Sequence, residues 1–198
     1  RFKESLRELG LRGRQGGVPD RLAAARAGVA DIGKNCFAYS RHGSWINIET
    51  WLVNARLEPD RPSTECKCPE GCNACIKACP TGALIEPFIM RMNHCAAYLT
   101  YRAPEPTPES LQKKMGCWIY GCDACQDACP RNRDKWEEKE TAPWLEKSAH
   151  LLKPEVLAVM DEKTYLEMVR PLFWYIPETG LQRWRNNAER ALKNNQAS

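Results

Sequence analysis

The sequence predicts an α+β fold that is mostly helical. Three observations lead to this prediction: apolar residues recur at helical spacing in several segments, one segment is rich in aromatic and β-branched residues, and one cysteine-rich segment occurs twice. The two copies, GCNACIKACP at 71–80 and GCDACQDACP at 121–130, agree at seven of their ten positions. We therefore divide the chain into residues 1–57 with a short strand and loops, residues 58–134 with both copies, and a helical segment at 135–198.

The first part, residues 1–57, is predicted to contain helix, turn and strand. An alanine-rich helix at 21–27 precedes Gly28, which can end the helix because glycine tolerates the left-handed conformation. The segment DIGKN at 31–35 is expected to be a loop. The aromatic and β-branched residues lie at 44–53, which is the best candidate for a strand.

Helices are also predicted between and after the two cysteine-rich segments. Thr107 and Pro108 can begin one of them, because a capping residue followed by proline is typical of a helix start. Gly116 can end that helix. The other predicted helices are at 93–101, 154–160, 162–169 and 181–193. The chain is therefore expected to be mostly helical with a few short strands.

The composition is that of an ordinary soluble protein except for its cysteines. Hydrophobic residues make up 43% of the 198 residues, and a net charge of +4 does not by itself indicate nucleic-acid binding. No apolar run approaches the roughly 20 residues that span a bilayer, and no secretory signal pattern is present. We therefore expect a cytoplasmic protein without membrane contact, whose eleven cysteines stay reduced and mostly bind metal.

Each cysteine-rich segment has the pattern C-x2-C-x3-C-P. Structural zinc usually takes two separate C-x2-C pairs, whereas a third cysteine followed by proline is typical of bacterial ferredoxins with two [4Fe-4S] clusters. In that pattern the last cysteine of each segment binds the cluster of the other segment, because the chain turns away at the proline. The sequence therefore predicts a bacterial ferredoxin-like core. Its predicted ligands are Cys72, Cys75 and Cys129 for a first cluster, and Cys79, Cys122 and Cys125 for a second cluster.

Each predicted cluster still needs a fourth ligand. For the first cluster Cys68 is the natural choice, although one more residue separates it from the segment than in ferredoxins, and Cys66 is the alternative. For the second cluster the ferredoxin position is Ile119, so the ligand must be Cys95 or Cys117. Spacing alone does not decide between these two.

The motifs around the cysteines resemble those of epoxyqueuosine reductases, which are cobalamin-dependent iron–sulfur enzymes that complete queuosine in tRNA. The resemblance covers about residues 22–194 and rests on AGVADIGKN, HGSWINIETWLV, CNACIKACPTGAL, HCAAYLTYR, WIYGCDACQDACPRN and LQRWRNNAERALKN, in this order. Reductive dehalogenases are similar in the cluster region, but their pattern lacks the YLT and IYGCD features.

The resemblance implies site residues beyond the six cysteines. In the family, the cysteine before YLT is the remote ligand of the second cluster, which favours Cys95 over Cys117. The GKN and HGSW segments resemble parts of the family's cofactor cleft. The implied cofactor-binding residues are Gly33, Lys34, Asn35, Ser44 and Trp45.

The function expected from these features is an electron relay. Two [4Fe-4S] clusters would receive single electrons from a ferredoxin or flavodoxin and pass them to cobalamin, and the family's substrate implies contact with tRNA. Backbone amides in the loops of Gly71, Gly82 and Gly121 are expected to donate hydrogen bonds to the cluster sulfurs, which tune the reduction potentials.

Two departures from the family limit what the resemblance implies. The family's N-terminal half, which supplies much of the corrinoid pocket and a proposed acid, and its C-terminal helical repeats are expected to be missing from this chain. Arg183, Arg185 and Arg190 on the last predicted helix could contact phosphate. The alternatives are a ferredoxin-type carrier without its own substrate, the cluster module of a reductive dehalogenase-like enzyme, and a module in which the clusters only stabilise the fold.

Overall fold

The computed structural model describes residues 2–63, 65–135, 143–173 and 176–196, and it confirms the mostly helical prediction. Its α-helices are α1 (Phe2–Glu8), α2 (Asp20–Arg26), α3 (Ala74–Ala78), α4 (Ala96–Tyr101), α5 (Glu109–Gln112), α6 (Ala124–Asp127), α7 (Pro143–Ala149), α8 (Pro154–Leu157), α9 (Glu162–Thr164) and α10 (Leu181–Gln196). Its strands are β1 (Gly13–Gln15), β2 (Asp31–Ile32), β3 (Ala38–Tyr39), β4 (Trp51–Val53), β5 (Leu84–Glu86) and β6 (Ile89–Met90). Single turns of 3₁₀ helix are at Met92–His94, Pro130–Asn132, His150–Leu152, Arg170–Phe173 and Glu178–Gly180, and a π-helical turn is at Tyr165–Val169.

The strands form three antiparallel pairs, β1 with β4, β2 with β3, and β5 with β6. The strand predicted at 44–53 is largely wrong, because only Trp51–Val53 pairs with another strand. Ser44 is turned inward instead. Its amide donates to Asn132 Oδ1 (2.8 Å) and its hydroxyl bonds to Gln126 Oε1 (2.8 Å), so these tertiary contacts take the place of a sheet partner.

Each predicted helical segment contains a helix, but two are shorter than predicted: α5 ends at Gln112, before Gly116, and α8 covers only Pro154–Leu157 of residues 154–160. Helix α2 ends as predicted, with Gly28 at a φ of 70°. The helix predicted at 93–101 is interrupted, because Cys95 has an extended conformation (φ −65°, ψ 121°) between the turn at Met92–His94 and α4. The helix predicted at 162–169 changes from α to π geometry at Tyr165.

The two cysteine-rich segments fold alike and lie side by side. Their short helices, α3 and α6, pack against each other. Gly71 and Gly121 both have a φ of 67°, a left-handed conformation that favours glycine. Cys79 and Cys129 both leave the helix in extended conformation, with ψ of 110° and 121°. The sequence repeat is therefore also a structural repeat.

Helix α10 joins the C-terminal core to the second cysteine-rich segment. Trp184 and Ala188 belong to the largest buried apolar cluster, with Leu157, Tyr165 and Val169. Residues just before the second segment pack on the same helix, because the ring of Tyr120 stacks on that of Trp184 with centroids 5.2 Å apart. Within the described part of the chain, no helix combines the length and apolar character needed to cross a membrane.

Candidate metal centres

Four cysteines line one small cavity, and we call them the first group: Cys68, Cys72, Cys75 and Cys129. Three of them come from the first cysteine-rich segment and the residues before it, whereas Cys129 comes from the second segment. Cys75 and Cys129 are buried, with 8% and 9% of their surface exposed. Burial raises the pKa of the Cys75 thiol, and the charges of Cys129 and Cys68 raise it further. Thiols so close together favour binding of a shared cation over separate ionisation.

Four other cysteines act on one another, and we call them the second group: Cys79, Cys95, Cys122 and Cys125. Burial, followed by the charges of Cys122, Cys95 and Cys79, raises the pKa of the Cys125 thiol to about 12. The pKa of Cys122 is raised by burial and then by Cys95 and Cys79. Cys79, from the first segment, therefore lies among cysteines that follow it in the chain.

The two alternative ligands lie in different surroundings. Cys66 is a neighbour of Cys68, because burial and then contact with Cys68 raise the pKa of the Cys66 thiol, but Cys66 does not line the cavity of the first group. Cys117 is exposed, and its Sγ lies 3.9 Å from the carbonyl oxygen of Ala191 on α10. The structure thus places Cys95, rather than Cys117, with the second group.

Backbone amides donate hydrogen bonds to sulfurs in both groups. The amide of Ala83 donates to Cys79 Sγ (3.2 Å) and that of Lys34 to Cys68 Sγ (3.5 Å). The Ala83 amide lies in the Gly82 loop, one of the loops in which such donors were predicted, but the glycine amides of two of these loops have other acceptors. The Gly82 amide donates to the Cys79 carbonyl (3.2 Å) and the Gly121 amide to Thr100 Oγ1 (3.0 Å). The donor in the Gly82 loop is therefore the next residue, which the glycine turn directs toward the sulfur.

The GKN turn wraps the first group. Lys34 Nζ donates to the Cys72 carbonyl (2.8 Å), in addition to the bond from its amide. Asn35 is buried, and its Nδ2 donates to the hydroxyl of Tyr39 (2.9 Å) and to the Cys125 carbonyl (3.3 Å). Gly33 lies against the ring of Tyr39, where an added Cβ would come within 2.5 Å. Lys34 and Asn35 therefore contact the cysteine residues directly, whereas Gly33 packs against Tyr39 beside them.

Trp45 borders the open space beside the first group. It lines two clefts of about 560 and 530 Å³, which also share Asp123, and we call them together the Trp45 cleft. Cys129 and Pro130 form part of its wall. Ser44, the other predicted residue of this stretch, is buried in hydrogen bonds and also lines the cleft.

A buried ion pair beside the first group was missed by the sequence reasoning. Arg131 donates two hydrogen bonds to Asp31, with Nη1 2.7 Å from Oδ1 and Nη2 2.6 Å from Oδ2. The guanidinium carbon of Arg131 lies 4.2 Å from the centre of the Tyr39 ring. Burial raises the pKa of Tyr39, and its hydrogen bond to Cys129 raises it further. Asp31 and Arg131 lie 100 residues apart, so no local pattern joins them. The only signal in the sequence was an arginine directly after the second Cys-Pro.

The arginines of α10 are not free phosphate ligands. Arg190 is 7% exposed and donates to the carbonyls of Gly116 (2.7 Å) and Trp118. Arg185 donates through Nε (3.0 Å) and Nη2 (2.6 Å) to the Met160 carbonyl. Arg183 lies 3.9 Å from the carboxylate of Glu105. The structure therefore gives no support to phosphate contact by Arg190 and Arg185, whose guanidinium groups are used within the fold.

The donor chemistry of the two groups fits two [4Fe-4S] clusters. Each group offers four thiols, which is the usual ligand number for such a cluster, together with amide donors to sulfur. Among the residues that the structure describes, no three His, Cys, Asp or Glu side chains are arranged to hold a single metal ion. The Trp45 cleft opens next to Cys129, with Trp45 and Pro130 among its lining residues.

Comparison with known proteins agrees with this chemistry. Residues 67–132 match the family model for a 4Fe-4S double cluster binding domain. The epoxyqueuosine reductase of Prochlorococcus marinus (strain NATL2A) is 38% identical over 167 residues, which are 78% of this chain and 53% of that protein. That of Shewanella oneidensis is 35% identical over 185 residues, covering 89% of this chain and 44% of that protein.

Solved structures of epoxyqueuosine reductases have the same fold as this chain. The enzyme from Bacillus subtilis superposes with a TM-score of 0.76 at 31% identity, over 98% of this chain and 55% of that one. A structure with an epoxyqueuosine-modified tRNA-Tyr stem loop has a TM-score of 0.76 at 28% identity, with the same coverage. The chain spans about half the length of the relatives that it matches. By its sequence, its fold and its doubled cysteine motif, the chain belongs to the epoxyqueuosine reductase family.

Proposed function

We propose that this chain is the part of an epoxyqueuosine reductase-like enzyme that holds two [4Fe-4S] clusters and relays electrons through them. The observation that carries the proposal is the exchange of cysteines between the two segments. Cys129 lies with the first group and Cys79 with the second, so each group needs residues from both segments. A domain built in this way holds its two clusters close together, which a relay requires and a merely structural metal site does not.

The proposed path runs from the second group to the first and then to the Trp45 cleft. The first group borders this cleft through Cys129 and Pro130, so an acceptor in the cleft would lie beside a cluster ligand. The chain itself would hold the second group, the first group and the cleft in this order. Amide donors such as those of Ala83 and Lys34 stabilise the added negative charge of a reduced cluster.

The proposed acceptor is cobalamin, which supplies a cobalt centre that becomes strongly reducing when it accepts electrons. Trp45 would lie against the corrin, and Arg133 and Asp127 on the cleft wall offer polar contacts to its side groups. The residues of the GKN turn would act indirectly, because they contact the first group and orient it toward the cleft.

The proposed partners are a low-potential electron donor, such as ferredoxin or flavodoxin, and tRNA. The tRNA proposal is supported by the related structure that contains a modified tRNA stem loop. Two one-electron clusters can deliver the electron pair that a two-electron reduction of a substrate consumes. We infer no phosphate contact from Arg185 or Arg190, because their guanidinium groups are bonded to carbonyl groups within the protein.

The first test is metal analysis of protein prepared without oxygen. We expect about eight iron and about eight sulfide ions per chain, because each [4Fe-4S] cluster contains four of each. An iron content of about four, or a stoichiometric amount of zinc, would contradict the two-cluster proposal.

The second test separates the relay from a simple electron carrier. Reduced protein is titrated with cobalamin and followed by its absorption spectrum, using Trp45→Ala as the matched variant. We expect binding that the variant weakens, because the indole lines both parts of the cleft. Absence of binding by the chain and by a longer protein that includes the family's N-terminal half would favour the carrier.

A further inference from the structure

We propose that the Arg131–Asp31 ion pair sets the reduction potential of the first cluster above that of the second, and thereby gives electron flow its direction. This inference rests on the proposed two-cluster relay. It assigns to Arg131 and Asp31 a positioning and electrostatic role, since neither side chain belongs to the predicted ligand set.

The pair lies directly against the first group. Asp31 is 3% exposed and accepts two hydrogen bonds from Arg131 and one from the amide of Lys67 (3.3 Å), the residue before Cys68. The Arg131 guanidinium stacks over the ring of Tyr39, which lines the cavity of the first group together with Cys129. The pair therefore lies next to the first group both at Cys68, through the Lys67 amide, and at Cys129, two residues before Arg131.

The arginine lies beside the first group while it is bonded to a carboxylate. Arg131 directly follows Cys129 and Pro130, and its guanidinium lies 4.2 Å from the centre of the Tyr39 ring, which lines the cavity of that group. A cation beside a cluster stabilises the reduced state, which carries one more negative charge. Arg131 should therefore raise the reduction potential of the first cluster, while Asp31 moderates this effect.

In the part of the chain that the structure describes, no ion pair or cationic hydrogen bond involves a cysteine of the second group. The residue after Cys122 is Asp123, whose carboxylate adds negative charge beside that group. Cys79 Sγ has neutral neighbours, namely the Ala83 amide and the hydroxyl of Thr81 at 3.9 Å. A negative neighbour destabilises the reduced cluster, so the second cluster should have the lower potential and donate electrons to the first.

The test is a potentiometric titration of the full chain with both clusters, followed by electron paramagnetic resonance. Arg131→Met should lower the potential of the first cluster by an amount equal to a tenfold or larger change in its reduction equilibrium, about 59 mV for one electron. Asp31→Asn should raise the same potential, because it leaves the guanidinium uncompensated. The reduction equilibrium of the second cluster should change by less than twofold in either variant.

Two controls make the result specific. Lys77→Met removes an exposed cation from α3 within the first segment, so solvent should screen its loss and both potentials should change little. Arg131→Lys keeps the charge and should retain part of the effect. The Cys95→Ala protein, which should hold only the first cluster, assigns the signals.

Opposite shifts in the two variants support the proposal, because a purely structural role would change both in the same way. Shifts of the same sign, no shift, or a shift confined to the second cluster would overturn it. If the arginine variants lose the first cluster, Asp31→Asn decides alone, and an unchanged or lower potential rejects the idea. Wild-type protein with about four iron ions would instead contradict the proposed function itself.

Discussion

The two cysteine groups are built from nearly identical segments, yet their surroundings differ. The first group is covered by the N-terminal part of the chain, which contributes the GKN turn, Tyr39 and Asp31, the partner of Arg131. The first group also borders the Trp45 cleft. The second group is covered by α4 and the C-terminal helices. Thr100 of α4 accepts from the Gly121 amide (3.0 Å), and Asn187 of α10 donates to the Thr100 carbonyl (2.7 Å).

This difference indicates how two sites built from a repeated segment can give electron transfer a preferred direction. Two clusters with equal ligands and equal surroundings would have similar potentials, and electrons would pass between them without preference. Here the first group lies beside cations, a phenol and an open cleft, whereas the second group lies beside neutral groups and a carboxylate. The cysteines thus form two candidate cluster sites, and the surroundings distinguish them.

The largest effect is expected from removing the exchanged cysteines. Cys79→Ala should cost the second cluster, although the residue lies in the first segment, and Cys129→Ala should cost the first cluster. Each variant should lose about half of roughly eight iron ions, measured by iron and sulfide analysis together with the resonance spectrum of the remaining cluster. If each variant lost the cluster of its own segment, the comparison of two interlocked groups would fail.

A similarly large effect, limited to one cluster, is expected at Cys95, the predicted remote ligand of the second group. Cys95→Ala should remove one cluster, whereas Cys117→Ala should remove none, because Cys117 is exposed and contacts α10. Iron content and the resonance spectrum of the two variants provide the measurement. The reverse outcome would make Cys117 the ligand and would separate the second group from α4.

A smaller effect is expected from the contact between α10 and the loop before the second segment. Arg190→Met removes hydrogen bonds from a buried guanidinium to the carbonyls of Gly116 and Trp118, and should lower the free energy of unfolding by about 2 kcal/mol. Chemical denaturation measures this change, with exposed Lys193→Met on the same helix as the control. Because this contact lies beside the second group, a chelator should remove the cluster of that group first in Arg190→Met. Equal loss of both clusters would show that α10 supports the whole fold.

The smallest effect is expected at Tyr39. Tyr39→Phe removes the hydroxyl that accepts a hydrogen bond from Asn35 at the cavity of the first group. The potential of the first cluster should fall by less than in Arg131→Met, below a tenfold change in the reduction equilibrium, because a neutral donor is lost instead of a cation. Potentiometric titration measures this change, and an equal shift of the second cluster would mean that the hydroxyl has no specific role.

Much of the fold and of the ligand chemistry could be predicted from the sequence. The helices at 21–27 and 181–193 are present because alanine content, apolar spacing and Gly28 at the end of the first helix act over a few residues. The structure also places the exchanged cysteines Cys79 and Cys129 in the groups that the spacing predicts, although their role as ligands remains a prediction. The division at residues 57 and 134 also remains a prediction, and bonds such as Ser44 to Asn132 cross the first of these boundaries.

The surroundings of the clusters were decided only by the tertiary structure. The GKN turn contacts the first group, Ser44 bonds to Gln126 instead of continuing a strand, and Arg190 is used inside the protein. The physical reason is distance along the chain. Cysteine spacing and helix caps depend on neighbouring residues and can be read directly, whereas the pair of Asp31 and Arg131 joins residues 100 positions apart and depends on how the whole chain packs.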